Sequence, residues 1–209
     1  MTEDEARAWL TAQYDVPRET WDALEHFVAL LADEATRQNL IAASTLPTVW
    51  SRHIADSAQL LKLAEGARTW LDLGSGAGFP GLIIAALGSA HVTLVDSRKK
   101  RVAFLEEAAR TLGIESRVTL VCSRVETLST SHYDAISARA FAPLDRLLPM
   151  AARFARPDTI WLLPKGKSAV SELEAARGSW QGAYRIEPSV TDPEAAIIVA
   201  TRVRPGGKR

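Results

Sequence analysis

The stretch Trp70-Leu-Asp-Leu-Gly-Ser-Gly-Ala-Gly-Phe-Pro-Gly81 constrains the fold more than any other part of the chain. An apolar segment runs into a glycine-rich turn, and a second apolar segment, Leu82–Leu87, follows at once. Glycine reaches left-handed backbone conformations at little cost and, having no Cβ, lets a ligand or a neighbouring segment come close. Strand, glycine turn and helix in that order open the βαβ units of doubly wound sheets, which bind ligands at the carboxyl ends of their strands. The spacing Gly76-x-Gly78-x-x-Gly81 is by itself a dinucleotide pattern of low specificity.

The surrounding pattern agrees. Apolar runs predict strands at Thr69–Leu73, His91–Val95, Val118–Cys122, Ala135–Ser137 and Thr159–Pro164, with helices at Pro80–Leu87, Lys99–Leu112 and Leu144–Phe154. Such alternation predicts an α/β fold with a mostly parallel sheet and helices on both faces. Tyr184–Val190 and Ala195–Val203, joined through Thr191-Asp192-Pro193, predict an antiparallel hairpin at the end of the sheet, and the tail from Arg204 is expected to be flexible. Upstream, Trp21, Leu24, Phe27, Val28 and Leu31, then Ile54, Ser57, Ala58 and Leu61, recur at helical spacing. A break at Ser44–Pro47 suits a turn into a new helix with Pro near its start. The 209 residues are read as one structural domain, a helical extension over 1–65 packed on a core over 66–209.

Two acids indicate which ligand the turn serves. Asp72 stands at the end of the first strand, directly before the glycines. A carboxylate there repels a pyrophosphate on Coulomb grounds, whereas it attracts the sulfonium and ammonium groups of S-adenosylmethionine (SAM). Asp96 ends the second strand 22 residues after Gly74, where an acid can accept both ribose hydroxyls. Its other reading is a helix cap, for which Ser97 is equally placed. Together Asp72, Gly74, Gly76 and Asp96 favour SAM over a dinucleotide, and the expected architecture is the Rossmann-like class I methyltransferase fold.

Later strand ends supply the rest of the candidate site. In Cys122-Ser-Arg-Val-Glu126, Val125 is placed to pack on an adenine face and Glu126 or the Val125 amide to meet its polar edge, the other reading being a surface turn. The fourth strand ends in Ser137-Ala-Arg139-Ala-Phe141 and the fifth in Leu163-Pro-Lys165-Gly-Lys167. The Asn/Asp-Pro-Pro-aromatic tetrad that holds an exocyclic amine is absent there, and Cys122, the single cysteine, is not placed to attack a pyrimidine ring. Arg139 and Lys165 instead put cations at the acceptor end, suiting phosphates or the O6 and N7 edge of guanine. The four histidines, His26, His53, His91 and His132, lack the spacing of a zinc site, so no metal is expected.

Zero formal net charge conceals an asymmetry. Residues 1–34 carry nine acids against Arg7 and Arg18, which leaves a net charge of +7 on the other 175 residues. Arg98-Lys-Lys-Arg101 opens a predicted helix against the preference of a helix N-terminus for anions. That run reads either as a solvated face or as a phosphate-contacting patch. Arg52 with His53, Lys165 with Lys167, and Arg202, Arg204, Lys208 and Arg209 add to the basic inventory. One cysteine, no signal-like start and no apolar run near the ~20 residues a bilayer requires give the cytoplasm as the expected location.

Read together, Arg52-His-Ile-Ala-Asp-Ser57, Asp72-Leu-Gly-Ser-Gly-Ala-Gly-Phe-Pro-Gly81, Leu94-Val-Asp-Ser97, Lys100-Arg101-Val-x-Phe-Leu105, Ser123-Arg-Val-Glu126, Ser137-x-Arg-Ala-Phe141 and Lys165-Gly resemble the RsmG family, also called glucose-inhibited division protein B. The resemblance runs from about Asn39 to Lys167, with Ile41 standing where the family usually has Thr. It implies a SAM-dependent enzyme that methylates N7 of a guanine in bacterial 16S ribosomal RNA. The implied partner is that RNA or the small ribosomal subunit, with no DNA, no membrane and a monomeric enzyme. Matching positions imply cofactor contacts at Gly74, Phe79, Asp96, Val125, Glu126 and Arg139, beside Asp72 and Gly76 above. Arg139 and Lys165 are the candidate catalytic residues, positioning the target nucleotide. Arg52, His53, Arg98, Lys99, Lys165 and Lys167 are the candidate RNA contacts.

Guanine N7 carries an in-plane lone pair and no proton, so its attack requires alignment and exclusion of water rather than a general base. The absence of an acid–base dyad agrees with that chemistry. A SAM enzyme for a small molecule or protein, and a non-catalytic ribosome assembly factor, are the competing readings.

Overall fold

The computed structural model of the chain describes residues 1–206. Helix α1 (Glu3–Gln13) begins with a capping box between Thr2 and Glu5, and α2 (Arg18–Glu34) buries Leu24, Phe27 and Leu31, the apolar stripe legible in the sequence. A 3-10 turn over Ala43–Thr48 contains Pro47. The chain then makes a wide π-helical turn, Trp50–Ala55, before the short helices α3 (Asp56–Ala58) and α4 (Leu60–Leu63). The helix expected after Pro47 therefore starts as a π turn. Glu3 holds that start: its carboxylate accepts the Trp50 N–H at 3.0 Å and the Ser51 N–H at 2.9 Å.

Strands β1 (Thr69–Leu73), β2 (His91–Asp96), β3 (Val118–Cys122), β4 (Tyr133–Ala138) and β5 (Ala155–Lys165) pair in parallel. Strands β6 (Trp180–Pro188) and β7 (Ala196–Pro205) are antiparallel, as the hairpin pattern predicts. The order across the sheet is β3-β2-β1-β4-β5-β7-β6, so β7 lies inside and β6 at the edge. Arg204 and Pro205, expected in a flexible tail, pair with Gln181 and Trp180 in the sheet. Lys208 and Arg209 lie outside the described residues.

Helices α5 (Gly81–Leu87) and α6 (Lys99–Thr111) cover one face, and α7 (Leu144–Ala151) and α8 (Ala169–Arg177) the other. Side chains alternate across a strand, so Trp70 enters the core on the α5 side while Leu71 and Leu73 enter the core under α7 and α8. The N-terminal helices pack on the first face, where the Phe27 ring meets Phe79 at 5.7 Å and Phe104 at 6.4 Å. The helix expected over Leu144–Phe154 stops at Ala151 and tightens into a 3-10 turn, Ala152–Phe154. Helix α8 was not foreseen. Its buried face consists of Ala169, Leu173 and Ala176, a stripe with only one large apolar side chain. No described helix is long and apolar enough to cross a membrane.

Candidate active site

The carboxyl end of β1 opens into the glycine turn, where Gly74, Gly76 and Gly78 take φ values of +69°, +57° and +91°. Their missing side chains serve different ends. A Cβ on Gly74 would stand 2.3 Å from the Phe141 ring, one on Gly78 2.3 Å from Leu82, and one on Gly81 2.9 Å from both Asp72 and Leu94. Those three make room for the protein itself. A Cβ on Gly76 would meet nothing closer than 3.8 Å, which leaves the open approach a ligand requires.

The two acids lie behind and beside this turn. Asp72 is fully buried; Ser137 Oγ donates to it at 2.7 Å across the β1–β4 register, and the Gly81 N–H at 3.3 Å. Burial pushes its carboxyl above the usual range, against the lowering effect of the Ser137 hydrogen bond. Asp72 therefore supports the turn from beneath, and both oxygens have protein partners. Asp96 accepts the Gly76 N–H at 3.1 Å, the Arg98 N–H at 2.9 Å and Arg101 Nη1 at 3.3 Å. It thus joins the glycine turn to Arg98, the residue before α6, without making a side-chain cap on that helix. The residues fit the ribose of SAM, which Asp96 would hold beside Gly76, the turn glycine with open space next to it.

Next to the turn lies a cleft of about 700 Å³, lined among others by Leu40, Thr45, Arg52, His53, Arg139 and Lys165. Arg139 leaves β4 just before Ala140, whose φ of +50° turns Phe141 back over Gly74. The guanidinium lies 5.2 Å from the Phe79 ring centre and donates to His53 Nδ1 at 2.9 Å, to the Arg52 carbonyl at 3.1 Å and to Asp56 at 3.4 Å. Burial lowers its pKa, and the Asp56 carboxylate opposes the shift. His53 stacks on Phe79 at 5.0 Å. Burial, then the charges of Arg139 and Arg52, push its imidazole down to about 3. Asp56 also accepts Gln59 Nε2 at 2.8 Å and Thr191 Oγ at 3.1 Å, tying the β6–β7 turn to the helix.

The remaining candidates fall in distinct settings. Lys165 donates to the Ala142 carbonyl at 3.0 Å and pairs with Glu172 at 2.8 Å. Arg52 pairs with Asp192 at 2.5 Å, both lining the cleft, and Lys167 pairs with Glu194 at 2.7 Å outside its lining. Val125 is buried in the core under α7, while Glu126 is exposed beside it. Arg98 and Lys99 are exposed at the head of α6, as the charge pattern suggests. Sequence reasoning passed over Thr45, Asp56, Thr191 and Asp192. Asp56 had a signal: it follows His53 by three residues in a helical segment, which puts the two side chains on one face. The β6–β7 turn had none, because 135 residues separate Thr191 from Asp56. Among the described residues no cluster of acids, histidines or cysteine could hold a metal ion.

The chain is similar to known proteins along nearly its whole length. Residues 20–196 match the family model GidB, described as rRNA small subunit methyltransferase G. The ribosomal RNA small subunit methyltransferase G of Rhizorhabdus wittichii is 58% identical, covering 100% of this chain and 96% of its own length. The protein of the same name from Zymomonas mobilis is 52% identical over 98% and 96%. In three dimensions the O-methyltransferase from Bacillus cereus, solved in complex with SAH, superposes with a TM-score of 0.59 at 14% identity, covering 84% of this chain and 90% of that one. That likeness speaks for the fold, and the sequence match for the lineage. This chain belongs to the rRNA small subunit methyltransferase G family.

Proposed function

We propose that this chain transfers the methyl group of SAM to N7 of one guanine in 16S ribosomal RNA. It acts as a cytoplasmic monomer on the RNA or the small subunit, with neither DNA nor a membrane involved. Residues 1–65 serve as a helical extension on the catalytic core. Family membership supports the RNA methyltransferase class. The observation that carries the site assignment is Phe141, which lies over Gly74 of the glycine turn and also lines the cleft holding Arg139 and Lys165. Cofactor turn and acceptor cleft therefore share a wall.

When bound, the cofactor supplies an activated methyl on a sulfonium. Asp96, with Gly76, is assigned to its ribose, and Val125 and Glu126 to its adenine. Asp72 holds the turn in shape through Ser137 and Gly81. N7 must keep its lone pair free for attack, so the donors of Arg139 belong on guanine O6 or a phosphate rather than on N7. Lys165, fixed by Glu172, is assigned to the same nucleotide. Arg52, Arg98, Lys99 and Lys167 are assigned to the RNA backbone beyond the cleft.

The test is to incubate the protein with methyl-labelled SAM and small subunits from cells lacking this activity, and to map label by cleavage specific for N7-methylguanosine. One labelled guanine is expected, and its loss in a folded Arg139→Ala variant. Label in neither subunits nor free ribosomal RNA, despite measurable SAM binding, rejects the RNA reading and directs the search to small-molecule and protein acceptors.

A further inference from the structure

Resting on that reading and deepening it, we infer that His53 is a positioning residue: its ring fixes the Arg139 guanidinium at the cleft and makes no contact with RNA. Hydrogen-bond logic carries most of the argument. A guanidinium only donates, so the Nδ1 that meets Arg139 Nη2 at 2.9 Å presents a lone pair. The ring proton then sits on Nε2 and goes to Thr45 Oγ1 at 2.9 Å, and the Thr45 hydroxyl donates onward to the Ala42 carbonyl at 2.8 Å. Each donor in this chain has an acceptor, and only one tautomer satisfies it.

Packing agrees. His53 is 8% exposed and lies 20° from parallel to the Phe79 ring, the same ring that Arg139 covers. Both nitrogens are engaged within the protein, so nothing on the ring is left to read a nucleotide. Arg139 by contrast is not saturated. Its Nη1 serves the Arg52 carbonyl and Asp56, and its Nη2 serves His53. Of the five N–H groups of a guanidinium, the Nε–H and one Nη2–H remain for an acceptor in the cleft. The charged groups around the imidazole are Arg52 on its own turn, Asp56 in the next, and Arg139 from β4, with Asp192 held on Arg52. Burial, then the guanidiniums of Arg139 and Arg52, keep the ring neutral at physiological pH.

The test uses the full chain and compares wild type with His53→Phe, His53→Asn, Arg139→Ala and the His53→Phe, Arg139→Ala double variant. Phenylalanine keeps the stack on Phe79 and removes both nitrogens; asparagine restores an acceptor near Nδ1. Single-turnover methylation of small subunits should fall ~100-fold in His53→Phe, the loss a misplaced positioning group brings, and recover in part in His53→Asn. The double variant should be no slower than Arg139→Ala alone. The wild-type rate should show no inflection near the ordinary imidazole pKa. A further loss in the double variant, or an inflection near that pKa that His53→Phe removes, overturns the proposal.

A second readout needs no RNA. Nitrogen-15 NMR of the free protein should resolve the Arg139 Nη protons in wild type and average them in His53→Phe. Unchanged spectra overturn the hold on Arg139. Should wild type label no RNA, the methyltransferase reading fails separately while the spectra still decide the role of His53.

Discussion

Asp72 is a carboxyl group enclosed in the core, accepting from Ser137 Oγ and the Gly81 N–H. Its folded pKa is raised by burial, so the native state holds the proton more tightly than the unfolded chain does. Asp72 then weakens stability progressively as pH climbs from the unfolded value, ~3.9, toward the raised one. Asp72→Asn should therefore gain stability relative to wild type as pH rises through that window, as measured by urea unfolding at a series of pH values. Asp72→Ala should instead lose about 1–3 kcal/mol, because Ser137 Oγ and the Gly81 N–H lose their acceptor in the core. An Asn variant whose relative stability falls with pH would contradict the raised pKa. Residue by residue, the placement of Asp96 beside the glycine turn and of Arg139 at the cleft was legible because both follow predicted strands. The burial of Asp72 was not, since a carboxylate before a glycine turn looks identical in sequence whether it faces a ligand or supports the turn from below.

At the level of elements, the turn glycines separate packing from binding. Gly74→Ala should unseat the Phe141 ring and lower thermal stability, whereas Gly76→Ala should cost only the ~1–2 kcal/mol of a left-handed alanine. Calorimetry should show that the second variant, folded though it is, binds SAM more weakly. Wild-type affinity in folded Gly76→Ala would move the cofactor away from this turn. The π turn Trp50–Ala55 makes a different prediction. Glu3 is its cap, so Glu3→Ala should cost about 0.5–2 kcal/mol in chemical unfolding. The first five strands and the hairpin could be read from apolar runs and their alternation. The π turn could not, because Trp50–Ala55 has ordinary helical composition and the acid that accepts its first N–H groups stands 47 residues upstream.

For the molecule as a whole, the net charge of +7 beyond residue 34 is either ordinary surface chemistry or a body that meets a polyanion, and salt dependence separates the two. Arg98→Ala with Lys99→Ala should weaken RNA binding about equally across sequences and reduce the slope of log affinity against log salt by about 1 or 2. A slope identical to wild type would assign that turn to solvent. The N-terminal helices belong to the same cooperative structure as the sheet: Phe27 is buried against Phe79 and Phe104, and Phe27→Ala should cost about 3–5 kcal/mol.

The strand order also has a consequence during synthesis. β5 does not pair with β6, which follows it in the chain, but with β7, made last of the seven. Until Ala196–Pro205 has emerged from the ribosome that is making the protein, the backbone edge of Trp161–Lys165 has no partner in the final arrangement. A nascent chain stalled before that point exposes an apolar strand edge, which invites pairing with other chains and recognition by chaperones. Completion of the sheet thus waits for β7 rather than for β6, the strand that follows β5 in the chain.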